Sequence, residues 1–162
     1  MQKFSRNASQ DPFRLCSVQQ IFDDTVELVK DRFQTNKIKF DYPTGLNTQI
    51  ECHEGEIVQT LLNLLNNSFD AIFNSNSPWI KLGFKDCGDM IEITVTDSGL
   101  GLSEEIQEKI MQPFFTTKEI GKGTGLGMSV SQGIARSHNG DLIYNRQSAN
   151  TEFILTLPKR HS

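Results

Sequence analysis

No apolar run in this 162-residue chain approaches the ~20 residues needed to cross a bilayer, and its first residues carry no signal-peptide pattern. Cysteine is scarce: Cys16, Cys52 and Cys87 are odd in number and widely spaced, with no Cys-x-x-Cys pair and no histidine at zinc-ligand spacing. These residues read as buried or half-buried thiols kept reduced, so the expected location is the cytoplasm. The excess of acidic residues is small, with a formal charge of -4, and gives no electrostatic reason to expect nucleic acid or an anionic membrane as partner. His53, His138 and His161 show no partner pattern for a nucleophile or a metal, and satisfied or exposed surface histidines are expected. A Walker loop is also missing, since Thr116 stands where its first glycine belongs and Gly123 where Ser or Thr belongs. Neither glycine cluster fits Gly-x-Gly-x-x-Gly, which argues against a Rossmann enzyme. What remains, at 36% hydrophobic and 22% charged residues, is a globular composition of single-domain size.

Residues 1–11 are polar and aperiodic and read as a linker or the remnant of an upstream element. Ser17 with Gln20 signals a helix start, and Ile21, Leu28, Val29 and Phe33 continue a helical face to about Thr35. Two alternating segments follow, through Ile38, Phe40 and Tyr42 and then Leu46, Thr48, Ile50 and Cys52; separated by Pro43-Thr44-Gly45, they read as a pair of strands. Residues 59–73 form an amphipathic helix with Leu61, Leu62, Leu65, Phe69, Ile72 and Phe73 as its buried face. Strands 79–87 and 90–97 turn around Cys87-Gly88-Asp89, Ser103 caps a short helix through Met111, and Pro113 stops it. After a loop at 114–125 comes a helix with Leu126, Val130 and Ile134 on one side, then strands 141–146 and 151–157. The fold class is α+β: a two-layer sandwich with helices on one face of a mixed, mostly antiparallel sheet.

Chemistry concentrates at three places. Asn63, Asn67 and Asp70 fall one turn apart on a second stripe of the 59–73 helix, where asparagine is a middling helix former. Their alternative reading is a solvated face. Asp97 is in phase with Ile91, Ile93 and Val95, so it points to the core side, where a carboxylate needs donors. Being accept-only, it suits an exocyclic amine such as adenine N6 and repels a carbonyl such as guanine O6; the other reading is satisfaction by turn amides of 98–101. Gly99 and Gly101 let the backbone turn sharply after it. The second cluster, Gly121 to Gly127 with Gly123, Thr124, Gly125 and Leu126 inside it, opens into a helix whose free amides suit phosphate oxygens. Asn67 can offer an amide oxygen to Mg²⁺, Asn63 can hold a metal-bound water or orient Asn67, and Lys118 and Lys122 are cations in the loop.

With the asparagine helix, Asp-x-Gly-x-Gly at 97–101, Pro-Phe-Phe-Thr-Thr-Lys at 113–118 and Gly-x-Gly-Thr-Gly-Leu-Gly at 121–127 in this order, the chain resembles the ATP-binding catalytic domain of bacterial sensor histidine kinases. The resemblance covers about 12–158, leaving 159–162 as a tail. It implies the Bergerat fold, a lid over roughly 114–125, and ATP with Mg²⁺ as cofactors. Asp97 would read adenine and Asn67 would hold the metal. Asn63 and Lys118 would serve catalysis. The remaining nucleotide contacts implied are Asp70, Gly99, Gly101, Leu102, Thr117, Gly123, Thr124, Gly125, Leu126, Gly127 and Thr151. ATPases of the gyrase, chaperone and mismatch-repair type carry a water-activating glutamate where Asn63 stands, so transfer to a protein side chain is favoured over hydrolysis. The partners implied are the dimerisation and phosphoacceptor helices of a full-length kinase and a cytoplasmic response regulator, with the isolated domain monomeric and clear of membrane and nucleic acid. His53-Glu54 lacks the proline that follows an acceptor histidine. Asn139 and Asn150 stand where many members have glycine, at positions expected to lie away from the nucleotide motifs.

Overall fold

The structure, a computed structural model, describes residues 12–115 and 127–161. In chain order the elements are β1 (Arg14–Ser17), α1 (Val18–Thr35), β2 (Lys39–Asp41), β3 (Gln49–Cys52), α2 (Glu54–Ile72), β4 (Trp79–Asp86), β5 (Met90–Asp97), α3 (Glu104–Lys109), α4 (Gly127–Ser137), β6 (Asp141–Tyr144) and β7 (Glu152–Pro158). A five-stranded sheet runs β2-β4-β5-β7-β6, and β1 pairs with β3 apart from it. Among the described residues only the β2 pairing is parallel, so the sheet is mixed and mostly antiparallel as expected.

The core lies between the sheet and the helices. On β5 and β7 the same parity is buried, with Ile91, Ile93 and Val95 opposite Leu157, Leu155 and Phe153. Period-two alternation therefore supplies one apolar face. α1 is capped as read, Ser17 Oγ accepting from the Gln20 amide at 3.1 Å, and it buries Ile21, Phe22, Val26, Val29 and Phe33. Leu28 lies off that i, i+3, i+4 arc and is exposed, contrary to expectation. α2 begins with Glu54 and Glu56 near its positive end and buries Ile57, Leu61, Leu64, Leu65, Phe69 and Ile72. Its apolar stripe is thus rotated from the one read: Leu62 is only partly buried and Phe73 is exposed. On α4 the buried residues are Met128, Ser131 and Ala135, not Val130, which is exposed, while Ile134 is partly buried and Leu126 lies outside the described residues.

The strands read as a pair at 38–42 and 46–52 do not meet. β2 joins β4 in parallel, Phe40 opposite Ile80, whereas β3 joins β1, Ile50 opposite Cys16. The reason is local. Gln19 of α1 donates to Pro43 O at 3.2 Å and accepts from the Leu46 amide at 2.9 Å, holding Pro43-Thr44-Gly45 against α1 rather than in a hairpin. The 87–89 turn closes as read, with Cys87 N donating to Met90 O at 2.9 Å. Cys52 is buried and Cys16 half-buried, and their thiols hydrogen-bond across β1 and β3; Cys87 is exposed, contrary to expectation. Lys159 and His161 are laid against the body, the Glu51 amide donating to Lys159 O at 2.8 Å and the His161 amide to Glu51 Oε1 at 2.8 Å.

Candidate functional site

The helix-covered end of β5 is where the site forms. β5 is central in its sheet, and its buried parity carries on from Val95 to Asp97, which is only 2% exposed. Burial pushes the Asp97 carboxyl above its ordinary value, while a 2.8 Å hydrogen bond from the Gly99 amide and another from the Ser68 hydroxyl pull it partly back. The expectation of a core-side carboxylate and the alternative of a turn-amide acceptor are therefore both realised, on the same residue. Ser68 is buried on α2, one residue past Asn67.

The loop after Asp97 is braced from β7. The Thr151 amide donates to Gly99 O at 3.0 Å, and Thr151 Oγ1 accepts from the Gly101 amide at 3.0 Å. Asn150 Nδ2 also donates to Gly99 O, at 3.2 Å, so Asn150 does touch a nucleotide motif, contrary to expectation. Asn139, by contrast, takes a left-handed conformation (φ 65°) at the end of α4, as a glycine would. Tyr144 OH accepts from the Leu102 amide at 2.9 Å. Strand and helix periodicity mark at most that Tyr144 and Ser68 face inward, not that they hold the loop and the carboxylate.

Gly99 is required for lack of space. A Cβ there would sit 2.8 Å from Asp97 Oδ1 and 2.9 Å from Thr151 Oγ1, closing the cradle on the carboxylate. Gly99→Ala is expected to weaken adenosine nucleotide binding at least about tenfold, since displacing the Asp97 hydrogen bond costs on the order of 1.5–3 kcal/mol. Calorimetric titration checks this; unchanged affinity would show the loop is not part of the site.

α2 and α4 meet at Asn63. Its Nδ2 donates to the buried Ser131 Oγ at 3.0 Å, which orients the amide, and a Cβ on Gly127 would lie in ordinary contact with Asn63 Cγ, at 3.9 Å. Asn63 and Asn67 are half-buried and Asp70 is exposed, so the stripe read from sequence is not part of the core. Thr117, Lys118, Lys122, Gly123, Thr124, Gly125 and Leu126 lie outside the described residues. A groove of about 480 Å³ lined by Tyr42, Lys81, Gly83, Glu92 and Thr94 opens on the other face of the sheet, away from Asp97.

The histidines are not scattered. Phe13 gathers all three, its ring centroid 3.6 Å from that of His161, 4.1 Å from His53 and 4.9 Å from His138. His138 is buried at the end of α4. Burial pushes its pKa down, against an opposing hydrogen bond to Ile134 O. Spacing along the chain held no signal for this cluster, since it is assembled from 13, 53, 138 and 161.

A carboxylate at the end of a central antiparallel strand, backed by a glycine turn and roofed by an asparagine-bearing helix, defines a two-layer nucleotide-binding domain of the Bergerat type. The chain belongs to the family described as histidine kinase-, DNA gyrase B- and HSP90-like ATPase, whose model matches residues 52–161. Within that family it is a catalytic domain of the sensor histidine kinase kind. The chain is 28% identical over 152 residues to sporulation kinase E of Bacillus subtilis, covering 90% of this chain and 20% of that protein. The solved catalytic domain of histidine kinase ThkA superposes with a TM-score of 0.82 at 28% identity, covering 93% of this chain and 97% of that one. ThkA in complex with the response regulator protein TrrA matches with a TM-score of 0.76 at 26% identity, covering 91% of this chain and 42% of that one. The chain spans about a fifth of the length of curated relatives such as the sporulation kinase.

Proposed function

We propose that residues 12–158 bind Mg²⁺-ATP and transfer its γ-phosphoryl group to a histidine on a separate dimerisation segment, for relay to a response regulator. The observation that carries this reading is the buried Asp97 carboxylate, held by Gly99 and Ser68 at the end of β5. Ionised, it can only accept, so adenine N6 is its natural partner and guanine O6 is repelled. The kinase rather than hydrolase reading rests on Asn63. Its amide is hydrogen-bonded to Ser131 and has no basic atom with which to activate water. The response regulator comes by likeness to ThkA, whose complex with one is known. A cytoplasmic location accords with the sequence, and no described helix is long and apolar enough to cross a membrane.

The donors around the asparagine stripe fit Mg²⁺, because they are neutral amide and carboxylate oxygens rather than sulfur or imidazole. Asn67 would be its protein ligand, with Asn63, fixed by Ser131, orienting it or a bound water. Bound there, the ion would neutralise charge on the triphosphate. Asp70, Leu102, Thr151 and Gly127 would border the nucleotide, and Thr117, Lys118 and the glycines of 121–127 would close over its phosphates, Lys118 near the terminal one.

Asn67→Ala is expected to lower Mg²⁺-ATP affinity by roughly tenfold or more while leaving metal-free adenosine binding within about twofold, because it removes a metal ligand and not a base contact. Calorimetry with and without Mg²⁺ separates the two. An equal fractional loss under both conditions would make Asn67 structural.

A further inference from the structure

We propose that His53, Glu56 and His138 form a site for a borderline divalent cation of the Zn²⁺ class, tying the start of α2 to the end of α4. One candidate ligand atom from each residue lies within 4.8 Å of the others. His53 Nδ1, at the cap position before α2, and Glu56 Oε1, on its first turn, are 3.2 Å apart. The His138 ring is held in a ligand's orientation: Nδ1 bonds to Ile134 O at 2.8 Å, which leaves Nε2 to accept the His53 amide at 3.1 Å. An imidazole whose far nitrogen donates to a backbone carbonyl is the usual form of a metal-bound histidine. A cation taking Nε2 exchanges that amide hydrogen bond for a coordinate bond.

Tetrahedral coordination at ~2.0–2.1 Å bonds sets ligand atoms about 3.3 Å apart, so the cluster has to close by about 1.5 Å at its widest. Closure would fall to His53 and Glu56, whose side chains are 12% and 27% exposed, while His138 is buried and held by Ile134 O. Phe13 packs its ring against both imidazoles, with centroids 4.1 Å from that of His53 and 4.9 Å from that of His138. Two imidazoles and one carboxylate select Zn²⁺, Co²⁺ or Ni²⁺ over Mg²⁺, which prefers oxygen alone. The site is thus distinct from the ATP metal in position and chemistry, and it binds without nucleotide.

The test is calorimetric titration of the chelator-treated chain with ZnCl2 in a non-coordinating buffer, without nucleotide, and with CoCl2 followed by its visible absorption. The expected result is one ion per chain, intense tetrahedral cobalt bands, and a raised Tm with Zn²⁺. Glu56→Gln and His53→Gln should each weaken binding at least about tenfold. Both sites are partly exposed, so these variants should fold, with circular dichroism as the check. His161→Gln should change nothing, and millimolar Mg²⁺ should not compete. Affinity unchanged in both Glu56→Gln and His53→Gln, or binding lost only in Cys87→Ser, would overturn the assignment.

Discussion

Asp97→Asn is expected to weaken ATP binding sharply while leaving the domain as stable as before, or more so. Burial raises the Asp97 carboxyl above its ordinary value, so the folded chain holds that proton more tightly than the unfolded one. For such a group the stability contribution is fully present below the unfolded value and is lost as pH rises through the folded one. At neutral pH the carboxylate therefore opposes folding, and an isosteric amide relieves the cost while its oxygen still accepts from the Gly99 amide. Binding responds the other way. Losing a charge-assisted hydrogen bond and presenting an amide NH₂ to the adenine amine costs about 1.5–3 kcal/mol or more, roughly 10- to 150-fold in Kd. Affinity in the native chain should fall as pH drops through the raised Asp97 value. Thermal unfolding paired with ATP and GTP titrations decides the matter. A Tm lowered by several degrees would make Asp97 structural, and equal affinity for ATP and GTP would refute the adenine assignment.

This conflict between stability and binding explains which parts of the site could be read from sequence. Period-two phase placed Asp97 inward, and glycine pairs announced turns, because both signals are local in the chain. What supports the carboxylate is not local. Ser68 comes from a helix turn where a serine is unremarkable, while Thr151, Asn150 and Tyr144 arrive from β6 and the turn between β6 and β7, more than 40 residues on. The same distinction runs through the fold. Helix starts at Ser17 and Ser103 were legible because a cap is made within three residues, Ser103 Oγ accepting from the Ile106 amide at 3.3 Å. Strand partners were not. Phe40 alternates like any hairpin strand, yet it is opposite Ile80, and Gln19 decides this from another element. β1 went unread for a related reason: four residues with an exposed Leu15 carry too little pattern to show without β3 beside them.

The chain on its own is expected to bind ATP without labelling itself and with negligible turnover. Phosphoryl transfer needs an acceptor held in line with the γ-phosphate, and each described histidine is committed elsewhere. His138 is buried with both ring nitrogens engaged, and His161 stacks on Phe13. His53 precedes α2 and lies beside Glu56, whereas Asn63 and Asn67 come 10 and 14 residues later. At ~1.5 Å per residue that separates His53 from the asparagines by about 15 and 20 Å along the helix. The start of the stripe offers water no base either, since the residue there is the amide Asn63, already donating to Ser131. Adding a helical segment with an acceptor histidine, in trans, should produce acid-labile label on that segment alone. The assay is γ-labelled ATP with and without the segment, followed by acid treatment and by phosphate release. Acid-labile label on the chain alone, abolished by His53→Gln, would mean that the acceptor lies in the Phe13 cluster and that the nucleotide is held there rather than at Asp97.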